Sequence, residues 1–295
     1  MTPRQFAAYL FLAVTWGFSF MILLHVVQAF GWAGAVTFRG ILCGLLLIAA
    51  AKTIGRRLDF GGQWKHLAIV GATTVSGQLV FMSIGVPRIG TAMSSIFVAA
   101  IPLFSMVISQ IWGLERMSPR GLGGVALGLA GILMLVGFPA EPITASFLFG
   151  CAASLLAAFF AAYGSNHVSR YLAGAGAWEV TIASSIVGGL IVLPAMILVP
   201  LPGPVSIADL GWLFALAAII SALNYTLYFN LVAEIGATKT ISVEFLVTVV
   251  AVIVGTLLLG EKLSILQFTG AGIIICGCAM VLGLFPPKRK AKLQP

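Results

Sequence analysis

Charged residues divide the chain into long neutral intervals rich in Leu, Ile, Val, Ala and Gly. Seven intervals contain no Lys, Arg, Asp or Glu: 67–87, 89–114, 121–140, 142–169, 180–208, 210–233 and 263–287. Three more lie at about 5–25, about 33–51 with Arg39 inside, and about 238–259 with Glu244 inside. A bilayer-crossing helix needs roughly 20 apolar residues. The pattern therefore predicts an all-α polytopic membrane protein with ten spans, and the unbroken apolar runs exclude an alternating β-barrel.

Composition supports this class. Of the 295 residues, 60% are hydrophobic and 8% are charged, and the mean hydropathy is +1.12. Soluble domains carry roughly 25% charged residues, so a water-soluble surface cannot be built from this chain. Arg4 precedes an apolar run too long for a signal peptide and followed by no small-residue cleavage site. We expect this run to be the first permanent span.

The Lys and Arg residues are distributed unevenly between the predicted loops. If the N-terminus is cytoplasmic, 13 of the 16 lie on the inner side, and only Arg88 and Lys262 lie outside. This positive-inside bias predicts that both termini are cytoplasmic. The net charge of +8 then reflects topology and contact with anionic lipid. We expect the lipid bilayer, and no nucleic acid, as a partner.

One segment occurs twice, 146 positions apart. "WGLERMSPRGLGGVALGLAGILMLV" aligns without a gap with "LLGEKLSILQFTGAGIIICGCAMVL", so that Glu115 and Gly124 match Glu261 and Gly270. Five predicted spans separate the copies, and an odd number places the second copy upside down. Inverted repeats around a midplane site are typical of secondary transporters. The sequence therefore predicts two inverted five-helix halves, 1–140 and 141–295.

Polar side chains inside the spans are the candidates for binding cargo, because hydrocarbon makes them costly unless they face protein or a cavity. The predicted set is Gln78, Met82, Ser94, Ser95, Tyr163, Asn166, Asn224, Tyr225 and Tyr228. Gln78 and Asn224 occupy matching positions of the two halves, as a site on a two-fold axis would require. Amide, hydroxyl and aromatic groups suit a neutral or zwitterionic small molecule. The alternative role for each is interhelical hydrogen bonding.

Five other residues have separate interpretations. Arg39 and Glu244 each cost on the order of 2.5–3.5 kcal/mol at a span centre, and their positions predict opposite sides of the midplane without pairing. Glu244 is the candidate for proton coupling, with a static pairing to Lys239 as the alternative. Pro102 removes a backbone hydrogen bond in mid-span, which predicts a hinge or a fixed kink. Glu261, like Glu115, is expected to cap the helix that follows it.

The motifs carry a family resemblance. "MSSIFVAAIPLFSMVISQ", the "LGE" turn and "FTGAGIIICGCAMVLG", together with Trp16-Gly17 and Arg39, resemble the EamA repeat of the drug/metabolite transporter superfamily. The first copy departs from it with Gly113-Leu114-Glu115. The whole chain is most similar to bacterial amino-acid exporters of the YddG type. The resemblance implies a multi-pass protein of the bacterial inner membrane that exports neutral and aromatic amino acids with broad specificity. We expect a monomer to be functional.

Other classes fit the residues less well. An intramembrane enzyme needs a catalytic constellation, whereas the two aspartates lie in loops and the three histidines are scattered. A channel or receptor-like protein stays an alternative, although no filter or charge ring is visible. A multidrug or nucleotide-sugar transporter of the same superfamily is the closer alternative. We expect no metal or cofactor, since the four cysteines fit no metal or disulfide spacing.

Overall fold

The computed structural model describes residues 2–114, 118–140, 142–235, 240 and 243–281, and its regular structure within these ranges is entirely helical. The helices are α1 Pro3–Thr53, α2 Trp64–Ile89, α3 Thr91–Ile111, α4 Pro119–Gly137, α5 Ala145–Tyr171, α6 Ala177–Ile197, α7 Ile207–Tyr228, α8 Val243–Leu258 and α9 Ile265–Val281. The α7 helix continues to Ile235. Helices α1 to α7 are long and apolar enough to cross a membrane, and α8 and α9 are shorter apolar helices. The prediction of an all-helical chain with several membrane spans is confirmed.

Large apolar side chains cover the outside of the helices. Ile111, Leu133 and Leu257 are 75%, 73% and 77% exposed. Such side chains would be unfavourable in water but are suited to lipid tails. Polar residues such as Ser95, Asn224 and Gln267 are almost completely buried among large apolar core side chains. An apolar outer surface is what a bilayer solvent favours.

The first two predicted spans meet at a kink at Gly31, between the predicted bounds of about 5–25 and about 33–51. Helix α1 is interrupted only at Gly31, which has φ 68° and ψ 166°. Gly adopts positive φ without a steric penalty because it has no Cβ. One residue therefore separates the two halves of α1, and no loop is needed.

Helix α3 is broken where the sequence predicts a bend. Its two segments are Thr91–Val98 and Ile101–Ile111, and Pro102 lies in the first turn of the second segment. Proline is tolerated there because the first N–H groups of a helix have no helical acceptor. Helix α8 continues through Thr248, the repeat counterpart of Pro102, where no proline interrupts the helix. A hinge function for Pro102 stays a prediction.

Glycine pairs bring α4 and α9 into close contact. A Cβ on Gly124 would lie 2.5 Å from the carbonyl oxygen of Gly277, and a Cβ on Gly131 would lie 2.7 Å from that of Gly270. Along the contact, residue numbers rise in α4 while those of their partners in α9 fall, so the two helices are antiparallel. The pairing is also reciprocal, because Gly124 and Gly131 are the repeat counterparts of Gly270 and Gly277. Backbones that approach this closely require small residues.

Glu261 stabilises a helix from the other half of the chain. Its carboxylate accepts hydrogen bonds from the backbone N–H groups of Thr91 at 2.6 Å and Ala92 at 2.8 Å, at the start of α3. The expectation that Glu261 caps its own following helix is wrong. Ser264 caps α9 instead, accepting from the N–H of Gln267 at 3.1 Å. Glu115 lies outside the described residues.

The glycine contact makes a testable prediction. Gly277→Leu should destabilise the protein by about 1–3 kcal/mol, because its side chain would displace the α4 backbone. Gly272→Leu is the matched control, since a Cβ there meets nothing within 4 Å. Thermal unfolding in detergent measures both variants. Equal melting temperatures for the two would contradict close α4–α9 packing.

Candidate functional site

Helices α1, α2, α3, α5, α7 and α8 surround a cavity of about 100 Å³. Its polar and aromatic lining is Trp16, Ser19, Arg39, Thr74, Gln78, Ser165, Tyr225, Tyr228 and Glu244, and its apolar lining includes Phe20, Leu23, Met82, Ile101 and Val247. From the polar residues in the sequence, we predict that spans three, four, six, eight and nine line such a cavity. Both halves of α1 also contribute to the lining, which the sequence pattern does not predict.

Three aromatic rings form one wall of this cavity. The Trp16 ring lies 5.8 Å from that of Tyr225 and 5.4 Å from that of Tyr228, measured between centroids. The indole N–H of Trp16 donates to the carbonyl oxygen of Ile220 at 3.3 Å, which orients the ring. Rings at these separations attract one another and leave their faces and edges for an apolar or cationic group. The wall can therefore accept an apolar side chain.

Arg39 is a buried cation held by a distorted segment of α7. Its Nε donates to Ser221 Oγ at 2.7 Å, and Ser221 Oγ donates to the carbonyl oxygen of Leu216 at 3.0 Å. Residues Leu216–Leu223 are π-helical, and such segments occur frequently at functional sites. Among the described residues, no carboxylate oxygen lies within 4 Å of the guanidinium. Arg39 therefore projects an unpaired charge into the cavity lining.

Glu244 supplies the opposite charge to the same cavity. It lies in the first turn of α8. No Lys, Arg or His nitrogen of the described residues is within 4 Å of its carboxylate. Lys239, the alternative partner, lies outside the described residues. Arg39 and Glu244 are unpaired with each other, as expected, but the structure places both on one cavity.

Helix α2 contributes a polar face to the cavity. Thr74, Gln78 and Met82 follow at spacing four and line it together. Gln78 follows a π-helical segment, Gly71–Gly77, which is the repeat counterpart of the segment in α7. The Gln78 amide makes no hydrogen bond to the described residues, so its donor and acceptor are available to a cargo molecule.

Several predicted cargo residues do not line the cavity. Asn224 is fully buried and lies 2.8 Å from Thr15 Oγ1. Asn166 bonds the hydroxyl groups of Ser109 at 2.6 Å and Ser105 at 2.9 Å. These two residues join helices, which is the alternative role considered from sequence.

The other three pack between helices too. Ser95 donates to the carbonyl oxygen of Ala92, and Ser94 is equally buried. The Tyr163 ring packs 5.2 Å from that of Trp112. Of the predicted set, Gln78, Met82, Tyr225 and Tyr228 line the cavity.

Arg39, Trp16 and Ser19 were not assigned to the site from sequence. Trp16 and Ser19 are three residues apart and therefore share a helix face, a signal that the sequence carried. Arg39 stands out in the sequence because a charge within a membrane span is energetically costly. The sequence does not show that Arg39 and Glu244 line the same cavity.

The histidines lie away from the cavity lining. His66 Nδ1 and His167 Nε2 are 3.1 Å apart, and His25 Nε2 lies 3.1 Å from the Asp209 carboxylate. The described residues contain no group of three or more His, Cys, Asp or Glu that could hold a metal ion.

Comparison with known proteins identifies transporters. The chain is 26% identical over 294 residues to the inner membrane transporter YedA of Escherichia coli (strain K12), covering 96% of this chain and 93% of YedA. It is 25% identical to protein PecM of Dickeya dadantii (strain 3937), covering 100% and 97%. A probable terminal-alkyne amino-acid exporter of Streptantibioticus cattleyicolor is 24% identical, covering 91% and 90%.

A solved crystal structure shares the fold. It superposes with a TM-score of 0.69 at 15% identity, covering 96% of this chain and 98% of the other. The sequence profile of the EamA-like transporter family matches this chain twice, at residues 6–137 and 148–283. The chain is therefore a member of the EamA-like transporter family.

Proposed function

We propose that this protein is a secondary transporter of the bacterial inner membrane that exports small metabolites, foremost neutral and aromatic amino acids. The observation that carries the proposal is the cavity lining, which combines an aromatic wall with one unpaired cation, Arg39, and one unpaired carboxylate, Glu244. The cavity suits an apolar side chain on a zwitterionic backbone. The similarity to an amino-acid exporter supports this cargo class. The role is transport and not catalysis.

Alternating access between two inverted halves is the proposed mechanism. The two family matches support halves 1–140 and 141–295, and the antiparallel α4–α9 glycine contact supports their inversion. The proposed topology has ten crossings if α1 is two spans joined at Gly31 and the shorter helices α8 and α9 each cross the membrane. The halves would then open in turn to either side of a central site.

A metabolite or drug carrier of the same family is the second candidate. A phosphate-bearing cargo requires several cations, since each phosphate oxygen favours an Arg or Lys partner. Arg39 is the one Lys or Arg among the described residues lining the cavity. The lining therefore favours an amino acid over a nucleotide sugar.

The topology can be tested by labelling single cysteines introduced into a cysteine-free variant. A cysteine at Lys262 should react with an impermeant maleimide from outside intact cells. Cysteines at Arg120 and Lys290 should react only after permeabilisation, because the positive-inside distribution places them in the cytoplasm. Reaction at Lys290 from outside would refute the N-in, C-in arrangement.

Counterflow in liposomes tests the transport role. Gln78→Ala should slow uptake of labelled phenylalanine roughly two- to tenfold at limiting concentration, because one cargo hydrogen bond is lost. Its melting temperature should stay unchanged. Asn224→Ala should instead lower the melting temperature, since it removes a buried contact with Thr15. Uptake of a sugar nucleotide without any amino acid would refute the proposed cargo.

Proton coupling is proposed to occur at Glu244. The charged or titratable groups that line the cavity with it are Arg39 of α1 and Tyr225 and Tyr228 of α7. A pH gradient should accelerate phenylalanine flux in the wild type but not in Glu244→Gln. Glu234→Gln, at an exposed carboxylate bonded to Gln5, is the control and should keep the response. An identical pH dependence in Glu244→Gln and wild type would exclude this role.

A further inference from the structure

Two opposite charges, on the buried Arg39 and the partly buried Glu244, share one small cavity without pairing. An ionised group removed from water loses several kcal/mol unless a partner compensates it. Within a membrane such groups almost always pair with one another or with backbone, or face a water-filled path. Arg39 and Glu244 both lack an opposite charge within 4 Å among the described residues. Each is therefore available to a charge carried by the cargo.

The Arg39 side chain is prepared for a carboxylate. Ser221 occupies its Nε, and this bond fixes the guanidinium plane. The two terminal nitrogens make no hydrogen bond to the described residues. Arginine presents paired N–H groups that match the two oxygens of a carboxylate. A side chain held at Nε and open at its terminal nitrogens can bind an anionic group from the cavity.

Glu244 and the aromatic wall are suited to an ammonium group. Tyr228, which lines the cavity beside Trp16, interacts electrostatically with the Glu244 carboxylate, and Tyr225 interacts with both Arg39 and Glu244. Aromatic faces attract cations, and a carboxylate attracts them more strongly. This part of the cavity therefore favours a positive group, and Arg39 favours a negative group.

We propose that Arg39 binds the carboxylate of the cargo and Glu244 binds its ammonium group, so that the pair selects zwitterions and rejects singly charged analogues. This assignment rests on the proposed function and specifies how the cavity recognises an amino acid. The same assignment also links cargo recognition to proton coupling. A proton that binds Glu244 removes the negative charge that holds the ammonium group, and thereby favours release of the cargo.

Truncated substrates test the assignment in the wild-type protein. Phenylalanine, phenethylamine, which lacks the carboxylate, and 3-phenylpropionate, which lacks the ammonium group, are compared as inhibitors of labelled phenylalanine counterflow in proteoliposomes. Each truncated compound should inhibit at least about tenfold more weakly than phenylalanine, because one charge-assisted contact is lost. Phenethylamine and 3-phenylpropionate as potent as phenylalanine would overturn the proposal.

Two variants assign each charge to its partner. Arg39→Gln should weaken inhibition by phenylalanine and 3-phenylpropionate but leave phenethylamine at its wild-type potency. Glu244→Gln should weaken inhibition by phenylalanine and phenethylamine but leave inhibition by 3-phenylpropionate unchanged. If either variant weakens inhibition by all three compounds equally, the substituted residue supports the structure of the cavity and does not bind the carboxylate or ammonium group assigned to it. Arg39→Lys, which keeps the charge, should restore part of the discrimination even if Arg39→Gln folds poorly.

Matched controls separate this proposal from alternatives. Arg88→Gln and Glu234→Gln remove an exposed cation and an exposed carboxylate outside the cavity, and should leave all three potencies unchanged. If Lys239→Gln reproduced the Glu244→Gln pattern, Lys239 would be the partner of Glu244 and the ammonium assignment would fall. Absence of any phenylalanine flux in the wild type would instead refute the proposed function.

Discussion

The cost of a polar group in a membrane is the constraint on which this structure depends. In hydrocarbon, a backbone or side-chain polar group must find a partner within the protein or face water. The helical backbone satisfies its own groups, and several hydroxyl groups donate to carbonyl oxygens of the preceding turn, as those of Thr181 and Thr226 do. Groups that remain unbonded, such as the Gln78 amide, are therefore informative about the site.

Close helix packing creates the frame around that site. Lipid tails are as apolar as leucine, so burial of apolar area alone does not drive helices together within the bilayer. Glycines solve this problem by allowing backbones to touch. A Cβ on Gly40 would lie 2.6 Å from the carbonyl oxygen of Ser185, which brings α1 against α6 just beside Arg39. The contact between α4 and α9 has the same character.

The cavity departs from two-fold symmetry even though the halves are related. π-Helical segments occur at matching positions in α2 and α7, but the residues that follow them differ in role. Gln78 faces the cavity, whereas Asn224 contacts Thr15 of α1. The segment in α7 also carries Ser221, which orients Arg39. One half thus supplies an open amide and the other a supported cation, an asymmetry suited to a cargo with two different ends.

The sequence by itself determined that this is a membrane protein, because uncharged apolar runs long enough to cross a bilayer are stable in a membrane and not in water. The gapless repeat at offset 146 likewise predicted the shared glycines and the acidic turns. Tertiary structure decided which polar residues face the cavity. Helical periodicity shows which residues share a helix face, but not which helix or cavity that face packs against. Glu261 was identified as a cap from sequence, yet the helix it caps begins 170 residues away. Arg39 and Glu244 line one cavity only because α1 packs against α8, and no local sequence pattern encodes that approach.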